Sequence, residues 1–317
     1  HFCFPNVMSV ITDSHRVAAG GAIRLAELFM EGEITNGFAM VRPPGHHAMK
    51  SVHGNRGFCN INNEAVMIEY IREHYGPKKI AVVDTDCHHG DGTQDVYWYD
   101  PDVLYISMHQ DGRTLFPGSG FTDEAGECRG SGKTVNIPLP PGTSDQGFLY
   151  ALEHVVLPII EDFKPDVLIN SAGQDNHYSD PITQMRFSAQ GYARLNQLLK
   201  PDICVLEGGY SIHGALPYIN VGIVLAMAGE DYSYVYEPSY RADALKEDSR
   251  TMESIKYTCD EALSVYFRPH SLSVPVDSAH FPGTQDRRSF LSREKHIFYD
   301  TAGIQETQTD SVLCCPD

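Results

Sequence analysis

Short apolar, β-branched runs alternate with helical patterns along most of this chain, and that alternation limits the folds open to it. The runs are Phe38–Val41, Ile80–Asp84, Val103–Met108, Thr134–Leu139, Val167–Ser171 and Ile203–Leu206. Between them, Asn62 stands as a cap before Glu64–Tyr75, Ser144 before Gln146–Glu161, and Ser188 before Ala189–Leu199. Strands that alternate with helices build parallel βαβ units, and parallel strands, buried on both faces, read as continuous apolar runs. The pattern predicts an α/β fold with a mostly parallel sheet covered by helices on both faces.

Polar chemistry stands just after the runs. Arg42-Pro43-Pro44-Gly45-His46-His47 follows the first, and Asp86 and His88 follow the second. Ser107 and His109 close the third, Gly173-Gln174-Asp175 follows the fifth, and Glu207-Gly208-Gly209-Tyr210 the sixth. Ligands of open α/β sheets bind at the carboxyl ends of the strands. Loaded loops gathered at that one edge predict a single active site.

The densest cluster is Asp84-Thr85-Asp86-Cys87-His88-His89. Burying unpaired carboxylates costs several kcal/mol, so such clusters hold a cation or do acid–base work. Alternation points Asp84, Asp86 and His88 to one side, and a carboxylate and an imidazole two residues apart can grip one Zn²⁺. The plain alternative is a turn whose acids cap the next helix. Asp175 is a third ligand candidate, and two carboxylates with one imidazole leave a coordination position open for water and substrate. Asp180-Pro181 reads as a turn. His46 and His47 follow a rigid Pro-Pro-Gly turn, and imidazole titrates in the range needed both to take a proton from water and to give one to a leaving amine. Each needs a carboxylate to set its tautomer, and Asp84 and Asp91 are available. Tyr210 can donate to a developing oxyanion, or simply pack at the turn. Phe58 and Phe116 sit in Gly-flanked loops, where two rings line a slot for an aliphatic chain or belong to the core.

Composition narrows the partners. At 317 residues and 42% hydrophobic content the chain can bury a large core, and no stretch approaches the ~20 apolar residues of a membrane span. No secretory signal opens it, and its start at His1 leads us to expect residues missing before it. The net charge of −18 argues against nonspecific nucleic-acid binding and suits a cationic substrate such as a lysine-rich tail or a polyamine, though solubility alone also explains it. Eight cysteines are scattered singly except for Cys314-Cys315, which predicts reduced thiols in a cytoplasmic setting. Cys314-Cys315-Pro316-Asp317 also reads as half of a truncated metal site. Beyond Tyr240 the texture changes. Arg241–Phe267 is charged and helical in pattern, Arg268–Arg288 reads as an extended loop, and Lys295–Tyr299 with Gln305–Leu313 predicts a hairpin around Thr301-Ala302-Gly303. The expected organisation is a catalytic unit over 1–240 and an appendage over 241–317, suited to interaction or oligomerisation.

The motifs Arg-Pro-Pro-Gly-His-His-Ala, Gly-Phe-Cys-Asn-Ile-Asn-Asn, Asp-Thr-Asp-Cys-His-His-Gly-Asp-Gly-Thr, Ser-Ala-Gly-Gln-Asp-Asn-His and Leu-Glu-Gly-Gly-Tyr occur in this order. Across roughly residues 1–230 the chain resembles the zinc-dependent histone deacetylase family, including its microbial amidohydrolases and acetylpolyamine amidohydrolases. The resemblance implies the arginase/deacetylase fold, a three-layer αβα sandwich. It implies Zn²⁺ on Asp86, His88 and Asp175, catalytic His46 and His47 supported by Asp84 and Asp91, and Tyr210 polarising the substrate carbonyl. It implies a substrate tunnel of Phe58 and Phe116 with Gly57, Gly208 and Gly209. It also implies K⁺ at Asp84, Asp86 and Ser107, with backbone oxygens of His88 and Met108. The implied activity is hydrolysis of acylated lysine side chains or acylated polyamines. Two alternatives stand beside it: a binuclear Mn²⁺ ureohydrolase of the arginase type, which Asp175 without an Asp-x-Asp repeat disfavours, and a non-catalytic acyl-lysine-binding module. Family members usually carry a longer segment before the His pair, and many have a substrate-gripping Asp where Cys3–Pro5 stands here.

Overall fold

The structure, a computed structural model, describes residues 11–51, 55–241, 245–268 and 289–314. Six strands form one sheet: β1 (Gly37–Ala39), β2 (Ile80–Asp84), β3 (Val103–Gln110), β4 (Thr134–Leu139), β5 (Val167–Ser171) and β6 (Ile203–Val205). Their order is β1-β6-β5-β2-β3-β4 and every pairing is parallel. Each predicted run supplies one strand. β1 ends early because Val41 N–H turns back to the Ala39 carbonyl at 2.9 Å. β3 runs on past Met108 because β4 pairs with it as far as Gln110.

Helices cover both faces, which makes three layers. On one face α1 (Asp13–Met30), α2 (Asn63–Tyr75) and α3 (Asp91–Tyr97) pack on Ile80, Val82, Tyr105 and Ile169. On the other, α4 (Asp145–Ala151), α5 (Leu157–Phe163), α6 (Ala189–Leu199), α7 (Leu216–Ala228) and α8 (Ser249–Phe267) enclose Ala81, Val83, Leu104 and Ile106. Asn62 and Ser188 cap α2 and α6 by accepting from Ala65 N–H and Gly191 N–H. The single helix expected after Ser144 is instead α4 and α5 joined by a π turn over Leu152–Val156. Ser144 does not cap it, since its hydroxyl donates to Glu247 at 2.6 Å. α8 starts at Ser249, where Asp248 accepts from Thr251 N–H, rather than at Arg241. The hairpin is longer than expected, β7 (Ser289–Tyr299) against antiparallel β8 (Ile304–Cys314). The segment 269–288, Cys3–Pro5 and residues 315–317 lie outside the described residues.

The sheet has one switch point. The connections from β2 run to β3 and β4 on one side, whereas β5 leads to β6 on the other, and β2 and β5 are neighbours with Asp84 opposite Ser171. Loops leaving two such strands diverge and open a crevice at their carboxyl ends. Among the described residues no helix is long and apolar enough to cross a membrane. Cys59, Cys87, Cys204 and Cys259 are buried and free, but Cys128 is disulfide-bonded. That corrects the expectation of reduced thiols throughout: Cys128 lies half-buried at the surface, and a cysteine spaced alone in sequence can still meet another in space.

Candidate metal centre and active site

The crevice between β2 and β5 gathers the acids and imidazoles. Potential ligand atoms of Asp86, His88 and Asp175 lie within 4.8 Å of one another, and all three residues are buried. His88 Nδ1 stands 3.2 Å from Asp86 Oδ1 and 2.9 Å from Asp175 Oδ2. The remaining carboxylate oxygens are tied to backbone: Gly208 N–H donates to Asp86 Oδ2 at 2.7 Å and Cys87 N–H to Asp175 Oδ1 at 2.8 Å. The glycines are required here. A Cβ on Gly173 would lie 2.0 Å from Asp86 Oδ2, and one on Gly208 would lie 2.3 Å from Asp175 Oδ2.

Two fully buried carboxylates facing one imidazole select a positive charge at their centre. Burial works against the imidazolium, yet Asp175 and Asp86 raise His88 to about 10. Burial together with the charge of Asp86 raises Asp175 to about 6, while Asp86 is held below the carboxylate range by His46 and His88 despite its burial. Oxygen and nitrogen donors converging in this way fit a divalent transition cation.

His46 and His47 sit beside this centre. His46 Nδ1 is 3.0 Å from Asp84 Oδ2 and its Nε2 is 3.8 Å from Asp86 Oδ1. His47 Nδ1 is 2.8 Å from Asp91 Oδ1. Glu207 fixes the turn that carries both, accepting from the N–H groups of Gly45 at 2.6 Å and His46 at 3.0 Å. Burial and the neighbouring His46 push His47 down to about 3. Burial also works against protonating His46, but Asp86 and Asp84 outweigh it and raise His46 well above the ordinary histidine value. Asp84 and Ser107 are register partners on β2 and β3; Asp84 also accepts from Tyr105, and Ser107 Oγ lies 2.8 Å from His109 Nδ1.

The slot residues divide into two groups. Phe116 packs at 5.0 Å from the His47 ring and 6.5 Å from the His88 ring. Phe58 packs at 5.5 Å from Tyr210 and is 43% exposed, so it is no core residue. A Cβ on Gly57 would lie 2.2 Å from His47 Cδ2. Tyr210 N–H is held by Asp180 Oδ2 at 2.8 Å, and the Arg42 guanidinium lies 5.4 Å from its ring. Burial and the negative charge of Asp175 and Asp86 raise its hydroxyl above the ordinary phenol range, so it remains a neutral donor.

Four residues with parts in this site escaped the sequence reading. Asp180, expected only to make a turn, also anchors Tyr210. Glu207 orders the His pair; its signal was an acid closing an apolar strand. Phe298 of β7 reaches Phe116, with ring centroids 6.3 Å apart. Arg56 is buried to 1% exposure and donates three ways: to Asp91 Oδ2 at 2.5 Å, to the His47 carbonyl at 3.2 Å and to the Phe298 carbonyl at 3.0 Å. Arg56 thus aligns the carboxylate that aligns His47. Arg56→Met is expected to lower turnover roughly 10- to 100-fold with metal content unchanged, and Arg56→Lys to recover part of it through its charge. Steady-state kinetics beside metal analysis checks this; a fully active Arg56→Met chain would remove Arg56 from the site.

The histone deacetylase domain model matches residues 5–221. The chain is 43% identical over 273 residues to a probable deacetylase of Archaeoglobus fulgidus, covering 82% of this chain and 74% of that protein. It is 34% identical to a histone deacetylase-like amidohydrolase of Pseudomonas aeruginosa, over 68% of this chain and 58% of that one. Among solved structures, the HDA15 HD domain superposes with a TM-score of 0.69 at 34% identity, covering 80% of this chain and 69% of that one. An acetylpolyamine aminohydrolase from Burkholderia pseudomallei gives 0.62 at 34% identity, covering 67% and 61%. The matched region contains every residue of the candidate metal-binding cluster, the His pair and Tyr210, and the chain belongs to the histone deacetylase family.

Proposed function

We propose that this deacetylase-family chain hydrolyses the amide of acylated lysine side chains or acylated polyamines, acetyl groups most simply, with Zn²⁺ held by Asp86, His88 and Asp175. The observation that carries the reading is the convergence of those three buried donors at the switch point of the sheet, beside two imidazoles that each have a carboxylate partner. The ion, when bound, supplies a Lewis acid for the amide carbonyl and for water. Asp91 accepts from His47 Nδ1, which leaves Nε2 free to take a proton. Because His47 is held neutral, it meets water in its basic form. His46, whose Nδ1 is held by Asp84 at 3.0 Å, is placed to deliver a proton to the leaving amine. The Tyr210 hydroxyl donates to the oxygen that gains charge as the carbonyl is attacked. Phe58, Phe116, Gly57, Gly208 and Gly209 line the passage for the aliphatic stem. We assign K⁺ to Asp84, Asp86 and Ser107 with the carbonyl oxygens of His88 and Met108, as a structural ion. Among the described residues one cluster of three potential ligands occurs, which supports a single transition metal over the binuclear ureohydrolase arrangement.

We keep 1–240 as the catalytic unit and 241–317 as an appendage that is packed onto it, with α8 in the core and the hairpin against Arg56 and Gly57, in a cytoplasmic protein that acts on these amines rather than on nucleic acid. A deacylation screen of acyl-lysine peptides against N-acetyl polyamines, with and without added Zn²⁺, tests the function. Release of free amine only with metal is expected; release from neither class would refute it. The charge of −18 adds a second expectation. The part of a lysine-rich peptide's advantage that comes from charge should fade as salt rises, because the Debye length falls from about 10 Å at about 0.1 M to about 3 Å at about 1 M. A preference with no salt dependence at all would show that long-range charge plays no part in selection.

A further inference from the structure

The C-terminal hairpin closes on the active site. Strand alternation buries Lys295, Ile297 and Tyr299 against the rest of the chain, at 7%, 1% and 6% exposure, and leaves Phe298 between them 36% exposed. The hairpin is held in several places. Lys295 Nζ lies 2.9 Å from Asp95 and 3.1 Å from Asp310, and Arg293 lies 4.0 Å over the Trp98 ring. Two more ties reach the slot itself. Arg56 Nε donates to the Phe298 carbonyl at 3.0 Å, and Gly57 N–H donates to Asp300 Oδ1 at 3.1 Å. The Phe298 ring then continues a line of rings, 6.3 Å to Phe116 and from there 5.0 Å to His47. A large aromatic left open to solvent on a firmly anchored strand, next to the ring that packs on a catalytic imidazole, is placed to meet what enters the slot.

We propose that the hairpin is the outer wall of the substrate slot and that Phe298 is a specificity-determining residue. The class it selects is acylated amines long enough to reach it, such as an acyl-lysine within a peptide. An aromatic face takes up methylene groups and attracts an ammonium carried further along the substrate. A short N-acetyl alkylamine ends before the ring and gains nothing from it. This proposal rests on the hydrolytic reading above, so its test includes a binding measurement that does not depend on turnover.

Phe298→Ala removes the ring and keeps the backbone carbonyl that Arg56 holds. With an acetyl-lysine peptide, kcat/KM is expected to fall about ten-fold through KM with kcat little changed, while N-acetyl ethylamine changes less than about two-fold. Phe298→Leu should recover part of the loss. Equal losses on both substrates would make Phe298 a merely structural residue and overturn the proposal, as would no loss on either. Binding of the same fluorescently labelled acetyl-lysine peptide to the metal-loaded chain is followed by stopped-flow anisotropy, at times before turnover. If the parent chain hydrolyses nothing yet binds the peptide about ten-fold more tightly than Phe298→Ala, the wall stands and the hydrolytic reading falls. Equal binding by the two chains overturns the wall.

Discussion

Asp175→Ala is expected to lose the bound metal, from about one transition ion per chain to nearly none, and all metal-supported turnover with it. Asp175 brings one of the two carboxylates in the cluster and comes from a different strand loop than Asp86 and His88. Without it the remaining ligands come from a single turn, and one buried carboxylate remains to balance the charge of a divalent cation. The affinity of such a site depends on ligand number and charge, and metal binding is part of the stability of the fold around it. The substitution also frees Cys87 N–H, so Asp175→Asn is the control that keeps an oxygen acceptor while removing the charge. Elemental analysis of the purified variants beside the parent reads the outcome. Full occupancy in Asp175→Ala would refute the ligand assignment.

Tyr210→Phe is the second large effect. The change keeps the ring against Phe58 and Arg42 and removes only the hydroxyl. Loss of one oxyanion donor typically lowers turnover by about 10²–10³. Substrate affinity should move far less, because the donor acts on charge that develops after binding. Metal content should stay at that of the parent chain. A variant with parental kcat would leave the polarising to the metal alone.

Most of the fold was legible because its signals are local. A parallel strand buried on both faces is apolar along most of its length, and the runs Ile80–Val83 and Val167–Ile169, closed by the polar residues Asp84 and Asn170-Ser171, made both strands readable to the residue. The position of the chemistry followed from the strands, since loops at one edge of a parallel sheet have few other places to go. α1 went unread because, besides His15, the residues it buries most fully are Ala18, Ala19, Ala22 and Ala26, and its larger apolar residues against the core, Leu25, Phe29 and Met30, stand only in its second half. Arg56, Asp180 and Phe298 went unread for a different reason. Nothing near Arg56 in sequence announces that Asp91 and a strand more than two hundred residues away will surround it. Asp180 has the composition of a turn and makes one, with Ile182 N–H on Oδ1, so its grip on Tyr210 through Oδ2 left no trace in sequence. The tail carries no motif, and its part in the site depends on where the hairpin docks.

Metal-dependent release of amine is the most direct test of the central claim. The purified chain is stripped with EDTA, Zn²⁺ is returned in steps, and free amine from an acetyl-lysine peptide and from an N-acetyl polyamine is measured against bound metal. The expected result is activity on at least one substrate that rises linearly and saturates at about one Zn²⁺ per chain, with Asp175→Ala silent throughout. Activity that is unaffected by stripping, or a chain that fills with Zn²⁺ and releases no amine from either substrate, would contradict it.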